Sequence, residues 1–162
     1  MLAKKGEWDG TVGWHKNAKR EKIFYISNPL FYDISAVFHL KRKPIKFKKL
    51  KDLKGLRAGL IMGYEYKVID PLVKKGIVKA SYVPREELAF KMLLNERFDF
   101  FPLSLDVGNA ILQSKFTKKE RDLIEHLVVP NKAPFTLYML YKNERSKVLI
   151  KGFNKGLKKW RI

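Results

Sequence analysis

An α/β fold with a largely parallel sheet is what this sequence predicts, and three observations carry the prediction. Short apolar runs alternate with helix-like segments from residue 56 to residue 127, the pattern of strands joined by crossover helices. Glycine or proline punctuates most of the junctions, at Gly63, Gly76 and Pro84. The 162 residues are 46% hydrophobic and 13% aromatic, and a chain of that length buries roughly 70% of its unfolded surface.

The elements follow in order. "TVGWH" (11–15) is short and β-like. Asn17 caps a helix carrying Arg20 and Glu21 in its first turns. Asn28 and Pro29 break the chain, and "LFYDISAVFHLKR" (30–42) reads as a strand longer than the ~5–6 residues of a typical one, long enough to link two bodies. A lysine-rich segment, 41–55, marks a composition shift and a candidate boundary.

Beyond that segment the pattern becomes regular. "LRAGLIM" (56–62) is a nearly continuous apolar run, as a strand buried on both faces requires. Gly63 turns the chain. Asp70 and Pro71 open a short helix that Gly76 stops. "IVKASYV" (77–83) is a strand. The helix after Pro84 has acids in its first turn and Arg97 in its last, as the helix dipole favours. "FDFFPL" (98–103) is a strand, 106–115 a helix, and 117–127 a further helix with Thr117 and Glu120 as its capping box. "FTLYMLYKN" (135–143) is a strand. The last helix, 144–160, sets Leu149, Phe153, Leu157 and Trp160 on one face and Lys151, Lys155, Lys158 and Lys159 on the other. Strand–helix alternation of this kind describes a three-layer unit of fixed hand.

The formal charge is +19. It reads either as a solvated lysine surface or as affinity for an anionic partner such as nucleic acid or a membrane surface. Residues 41–57 hold nine basic residues against Asp52 alone, and 142–162 hold eight against Glu144. No helix-turn-helix, zinc-finger or RNA-binding signature accompanies them.

Chemistry is sparse. The absence of cysteine excludes disulfides, thiol catalysis and zinc–thiolate sites. His15, His39 and His126 have no metal-ligand spacing. Gly55, Gly59 and Gly63 recur every fourth residue without the motif of a phosphate loop or dinucleotide site, so Gly55 and Gly59 serve packing in or beside a strand. No cofactor and no enzymatic activity are expected. No apolar run reaches the ~18 residues that cross a bilayer, and "MLAKKGEWDG" shows no signal peptide. If Met1 is the true start, the location expected is cytoplasmic.

"GEWDGTVGWHKNAKREKIFYISNPLFY" (6–32), "KKLKDLKGLRAGLIMGYEY" (48–66) and "EELAFKMLLNERFDFFPLSLDVGNAI" (86–111), in that order along the chain, resemble the bacterial extracellular solute-binding proteins of family 3, the amino-acid-binding type. The resemblance implies a periplasmic-binding-protein-like fold (type II) of two α/β lobes with a ligand in the cleft between them. Residues 1–44 would be part of lobe 1 and the first crossing strand, 45–128 a complete lobe 2, and 129–162 the second crossing strand and a helix returning to lobe 1. The first strands and helices of the family's lobe 1 have no counterpart, so the chain reads as truncated. Apolar exposure at Val12, Ile23, Phe24 and Phe31 would mark the place of the missing part.

By motif position Arg20 matches the residue that clamps the ligand's α-carboxylate, a task suited to a planar guanidinium; without the match it reads as an exposed helix arginine. Gly13, Trp14 and His15 would line the cleft, His15 standing where the family often has a hydroxyl residue, and core packing is the other reading of Trp14. Gly63, Tyr64 and Glu65 match the loop of lobe 2 that meets the carboxylate beside a helix N-terminus, with Tyr64 and Glu65 departing from the family's small hydroxyl residues. Ser104 stands where an acid usually pairs with the ligand's ammonium, and Asp106 lies two residues later. The resemblance also implies an amino acid or related carboxylate as ligand, a permease of an ABC transporter as partner and a periplasmic location. A cleft lacking part of its walls would bind weakly. The alternative from another class is a basic module for nucleic acid or an anionic membrane surface; an enzyme on the same scaffold would need catalytic groups that the sequence does not present.

Overall fold

The computed structural model describes residues 8–46, 49–136 and 139–160, with backbone alone at 15, 31, 50, 51, 130–136 and 139. In chain order the elements are β1 (Gly10–Thr11), β2 (Trp14–His15), α1 (Ala18–Ile23), β3 (Phe24–Ile26), β4 (Pro29–Leu40), β5 (Arg57–Ile61), α2 (Asp70–Lys74), β6 (Lys79–Val83), α3 (Glu86–Leu94), β7 (Phe101–Ser104), α4 (Leu105–Lys115), α5 (Lys118–Asp122), β8 (Ile124–Thr136), β9 (Met139–Tyr141) and α6 (Glu144–Trp160). A 3-10 turn, Leu50–Leu53, precedes β5. Two units divide the chain: one holds the segments up to Asp33 and from Lys132 onward, the other Ile34–Asn131.

Both boundaries fall inside the long strands β4 and β8, not in the lysine-rich segment. That segment belongs to the second unit because its groups are spent there. The Lys41 N–H donates to the Leu123 carbonyl, Ile45 is buried in the second unit's core, and Arg42 and Lys43 both pair with Glu96. Glu96 itself lies just past α3 at φ 57°, the one non-glycine residue with positive φ among the described residues.

In the second unit β5 and β6 are parallel from Arg57↔Lys79 to Ile61↔Val83. A parallel bridge at Ala58↔Phe100 attaches the run leading into β7, and β7 pairs antiparallel with β4 from Ser35↔Ser104 to Phe38↔Phe101. Alternation along β4 sends Phe38 and Leu40 to one face of this sheet and Val37 to the other. The first face packs against α3 and α4 through Phe90, Leu93 and Leu112; the second packs against Ile69 and Leu72 of the α2 region and Leu53 of the 3-10 turn. The unit is therefore three layers deep. Phe90 meets Phe38, Phe101 and Phe116 edge to face, with centroids 5.2, 5.1 and 5.8 Å away, the arrangement that aromatic quadrupoles prefer.

The first unit has an antiparallel sheet in the order β1-β9-β3, so the parallel pattern expected of the chain belongs to the second unit. β2 pairs antiparallel with the end of β8. Phe24 is 2% exposed, with Tyr141 edge-on at 6.2 Å, and Ser146 and Ile150 are the buried residues of α6. The apolar wall expected at Val12, Ile23, Phe24 and Phe31 is thus not exposed as drawn. Val12 is exposed and Ile23 half-buried, but Phe24 is covered; the side chain of Phe31 lies outside the described residues.

Two expected elements are corrected. The helix expected over 117–127 ends at Asp122, and Ile124 begins β8; its capping box is present, Thr117 and Glu120 exchanging bonds at 3.3 and 2.8 Å. The buried face of α6 is the expected one only in part, with Phe153 and Leu157 half-buried. Leu149 and Trp160 are exposed, while Asn154 accepts a hydrogen bond from the Asn28 N–H at 2.8 Å, turning Ser146, Ile150 and Phe153 inward.

Candidate functional site

In the first unit the candidate residues form a local platform. Gly13, at φ 77°, turns the chain between β1 and β2, a conformation that a side chain would oppose. Trp14 follows, and its indole N–H donates to the Thr11 hydroxyl at 2.9 Å. Asn17 accepts from the Arg20 N–H at 2.9 Å, which fixes the first turn of α1 and delivers the Arg20 side chain back toward β2. Its guanidinium carbon lies 4.7 Å from the centroid of the Trp14 ring, within the range of a cation–π contact. Arg20 is half-buried, and Trp14 is 37% exposed rather than packed in a core. Beside them Lys16 and Glu21 pair at 2.7 Å. The His15 backbone pairs with Phe135, and its side chain lies outside the described residues.

In the second unit Gly63 turns the chain beyond β5 at φ 80°. The loop behind it is tied at both ends: the Ile61 N–H donates to the Tyr66 hydroxyl at 2.9 Å, and the Tyr66 N–H donates to the Asp70 carboxylate at 2.9 Å. The Tyr64 hydroxyl donates to Glu86 at 2.6 Å. Burial, then that bond, pushes the Tyr64 phenol up to about 12; burial also pushes Tyr66 to about 12. Both phenols stay neutral donors or acceptors at any physiological pH.

The helix after this loop does not offer the anion site that the sequence led us to expect. α2 has five residues and starts on Asp70, whose carboxylate already takes the Tyr66 N–H. Glu65 is exposed nearby in sequence. Two acids, Glu65 and Asp70, with Lys67 between them in sequence, thus stand where a carboxylate was expected. At the other candidate position Ser104 is the N-cap residue of α4 but its side chain does not cap the helix. Ser104 pairs in register with Ser35, and Asp106 is exposed in the first turn of α4.

The structure thus joins Arg20 to Trp14, and Tyr64 to Glu86. Sequence reasoning missed Tyr66, Asp70 and Glu86 as the groups holding the Gly63 loop. The signal available was the second tyrosine of "GYEY", a motif read only through Gly63, Tyr64 and Glu65. Among the described residues no cluster of three His, Asp or Glu side chains is placed to hold a metal, and no helix is long and apolar enough to cross a membrane.

No protein-family profile matches the sequence, and no curated protein matches it in sequence. In structure the chain is similar to an ancestral arginine-binding protein bound to arginine, at 20% identity and a TM-score of 0.76 over 98% of this chain and 68% of that one. It is similar to a histidine kinase sensor domain with similarity to periplasmic binding proteins, at 18% identity and a TM-score of 0.76 over 99% and 67%. It is also similar to an amino acid ABC transporter substrate-binding protein from Streptococcus pneumoniae bound to L-arginine, at 16% identity and a TM-score of 0.70 over 97% and 64%. The chain has the α/β fold of periplasmic binding proteins. It spans about two thirds of the length of the solved chains it matches.

Proposed function

We propose that this chain is a solute-binding protein of the amino-acid type, not an enzyme, with an amino acid or a related small carboxylate as its ligand. The observation that carries the reading is Arg20: on a fold shared with arginine-binding proteins, a half-buried guanidinium is held over Trp14 by a capped turn. A preset guanidinium of this kind makes paired, charge-assisted bonds to a carboxylate. Gly13, Trp14 and His15 are its neighbours in the proposal. Because a guanidinium contact asks only for a carboxylate, carboxylates without an amino group are included among the ligands. An ABC-transporter permease is the proposed partner, and the periplasm the proposed location, on the strength of the transporter proteins that share the fold.

The test is a titration of the ¹⁵N-labelled protein with the twenty amino acids and with small carboxylates that lack an amino group. The result expected is a shift of the amides of residues 13–20 with weak affinity, a dissociation constant of about 1 mM, since an exposed ion pair contributes little. Arg20→Gln removes it. Silence of 13–20 with every ligand, or a response that survives Arg20→Gln, sinks the proposal.

A second reading, a basic module for nucleic acid or an anionic membrane, rests on α6, whose Arg145, Lys147, Lys151, Lys155, Lys158 and Lys159 are all exposed. The lysine-rich 41–57 stretch adds less than its count, because Arg42 and Lys43 share Glu96 and Arg57 holds Asp99. Binding to duplex DNA or anionic vesicles that collapses between low and moderate salt would favour this reading; no binding at low salt would end it.

A further inference from the structure

A cavity of about 300 Å³ opens in the second unit among α4, α5 and the start of β8, a size at the lower end of small-molecule sites. Phe38, Leu112 and Ile124 form its apolar floor. Asn109 and Gln113, one turn apart on α4, line one side, and Lys118, Arg121 and Asp122 of α5 line another. His126 shares the strand face of Ile124 and leans on the Phe38 ring, centroids 5.6 Å apart. The early end of α5 is what brings these groups together: a helix continuing to residue 127 would have placed Ile124 and His126 elsewhere.

The charges at the mouth are unevenly matched. Lys118 pairs loosely with Asp122 at 3.3 Å. Arg121 is half-buried, and its guanidinium is held by one donation to the Phe116 carbonyl at 2.8 Å. Among the described residues no carboxylate lies within ion-pair distance of it. A guanidinium fixed by one N–H keeps other donors for an anion, and the Asn109 and Gln113 amides add neutral donors beside it.

We propose that this cavity is a second ligand site, separate from the residues around Arg20, which takes a small carboxylate with a compact apolar body: the carboxylate on Arg121, the body against Phe38, Leu112 and Ile124. The experiment titrates the full ¹⁵N-labelled chain with benzoate, with benzamide as its neutral isostere and with acetate as the carboxylate lacking the body. Benzoate is expected to shift amides of residues 109–126 with a dissociation constant of about 1 mM, benzamide and acetate binding at least about fivefold more weakly. Arg121→Gln is expected to weaken benzoate about tenfold and to leave benzamide unchanged. Asn109→Asp, at an exposed helix position, places a negative charge at the mouth without touching the core and is expected to weaken benzoate by a similar factor. Arg20→Gln leaves all three titrations of this region as they were, so loss of the amino-acid reading and loss of this one are told apart by which amides respond. Equal binding of benzoate and benzamide, benzoate binding that survives both cavity variants, or the absence of shifts in 109–126 up to solubility overturns the proposal.

Discussion

At the scale of single residues, two glycines are fixed by aromatic rings. A Cβ on Gly59 would sit 2.2 Å from the Phe98 ring, and one on Gly108 would sit 2.2 Å from the Phe38 ring. Both rings are buried and have no room to retreat. Gly59→Ala is therefore expected to destabilise the protein by about 1–3 kcal/mol. Gly152 of α6 meets nothing within 4 Å, so Gly152→Ala is expected to stabilise by about 0.5–1 kcal/mol through helix propensity. Urea unfolding of the pair checks both signs. Asp99 supplies the residue-level pH dependence. Its carboxylate takes the Arg57 N–H at 2.8 Å and the guanidinium at 2.7 Å. Burial alone would raise it, but these bonds and the adjacent charge outweigh burial and hold it below the usual carboxylate range. A depressed folded value means that its contribution is present above the unfolded value of about 3.9 and is lost as pH falls through the folded one. Asp99→Asn is expected to lower the urea midpoint at pH 7, the gap from the unaltered protein closing below about pH 4; a gap independent of pH would refute this account.

At the scale of elements, caps and short turns decide more than propensity does. Asn143 accepts the Ser146 N–H at 2.7 Å and so caps α6. Asn143→Ala is expected to cost about 1 kcal/mol, read as a lower thermal midpoint with less helical signal. The strands and helices of 56–115 were legible in the sequence because apolar runs, glycine turns and first-turn acids agree there. Two elements were not. In "DLIEHL", Leu123, Ile124 and Leu127 fit helical spacing, but the strand wins through pairing that no local pattern records, the Lys41 N–H reaching the Leu123 carbonyl and Ile124 entering the main core. In α6 the inward face turns on Ser146, 1% exposed, and on Asn154, both polar and so invisible to a search for an apolar stripe. Of the candidate site, the Asn17 cap and Arg20 were readable as a unit, whereas 11–15 reads as one strand and the turn at Gly13 that divides it was not. The closed hydrogen bonding of the Gly63 loop was not, because it depends on Tyr66, Asp70 and Glu86 meeting after folding.

At the scale of the whole molecule, the described residues of the two units differ in how much they bury. Both large apolar clusters, one around Phe38 and Phe90 and the other around Leu60 and Phe100, lie within Ile34–Asn131. The first unit's described cluster centres on Phe24 with Ile23 and Ile26 packed against it. Local opening free energy follows buried apolar contact. Native-state hydrogen exchange is therefore expected to be slowest in β5, β6 and α3 and faster by orders of magnitude in β1 and β3; uniform protection across both units would contradict this.

The contact between Arg20 and Trp14 has an optical consequence. The chain has three tryptophans; Trp8 and Trp160 are 57% and 89% exposed, so dissolved quenchers reach them readily. Trp14 has a cation resting against its ring. Anything that draws the guanidinium aside changes the electric field at that indole, so the emission of one native fluorophore reports on the state of Arg20 without an added label.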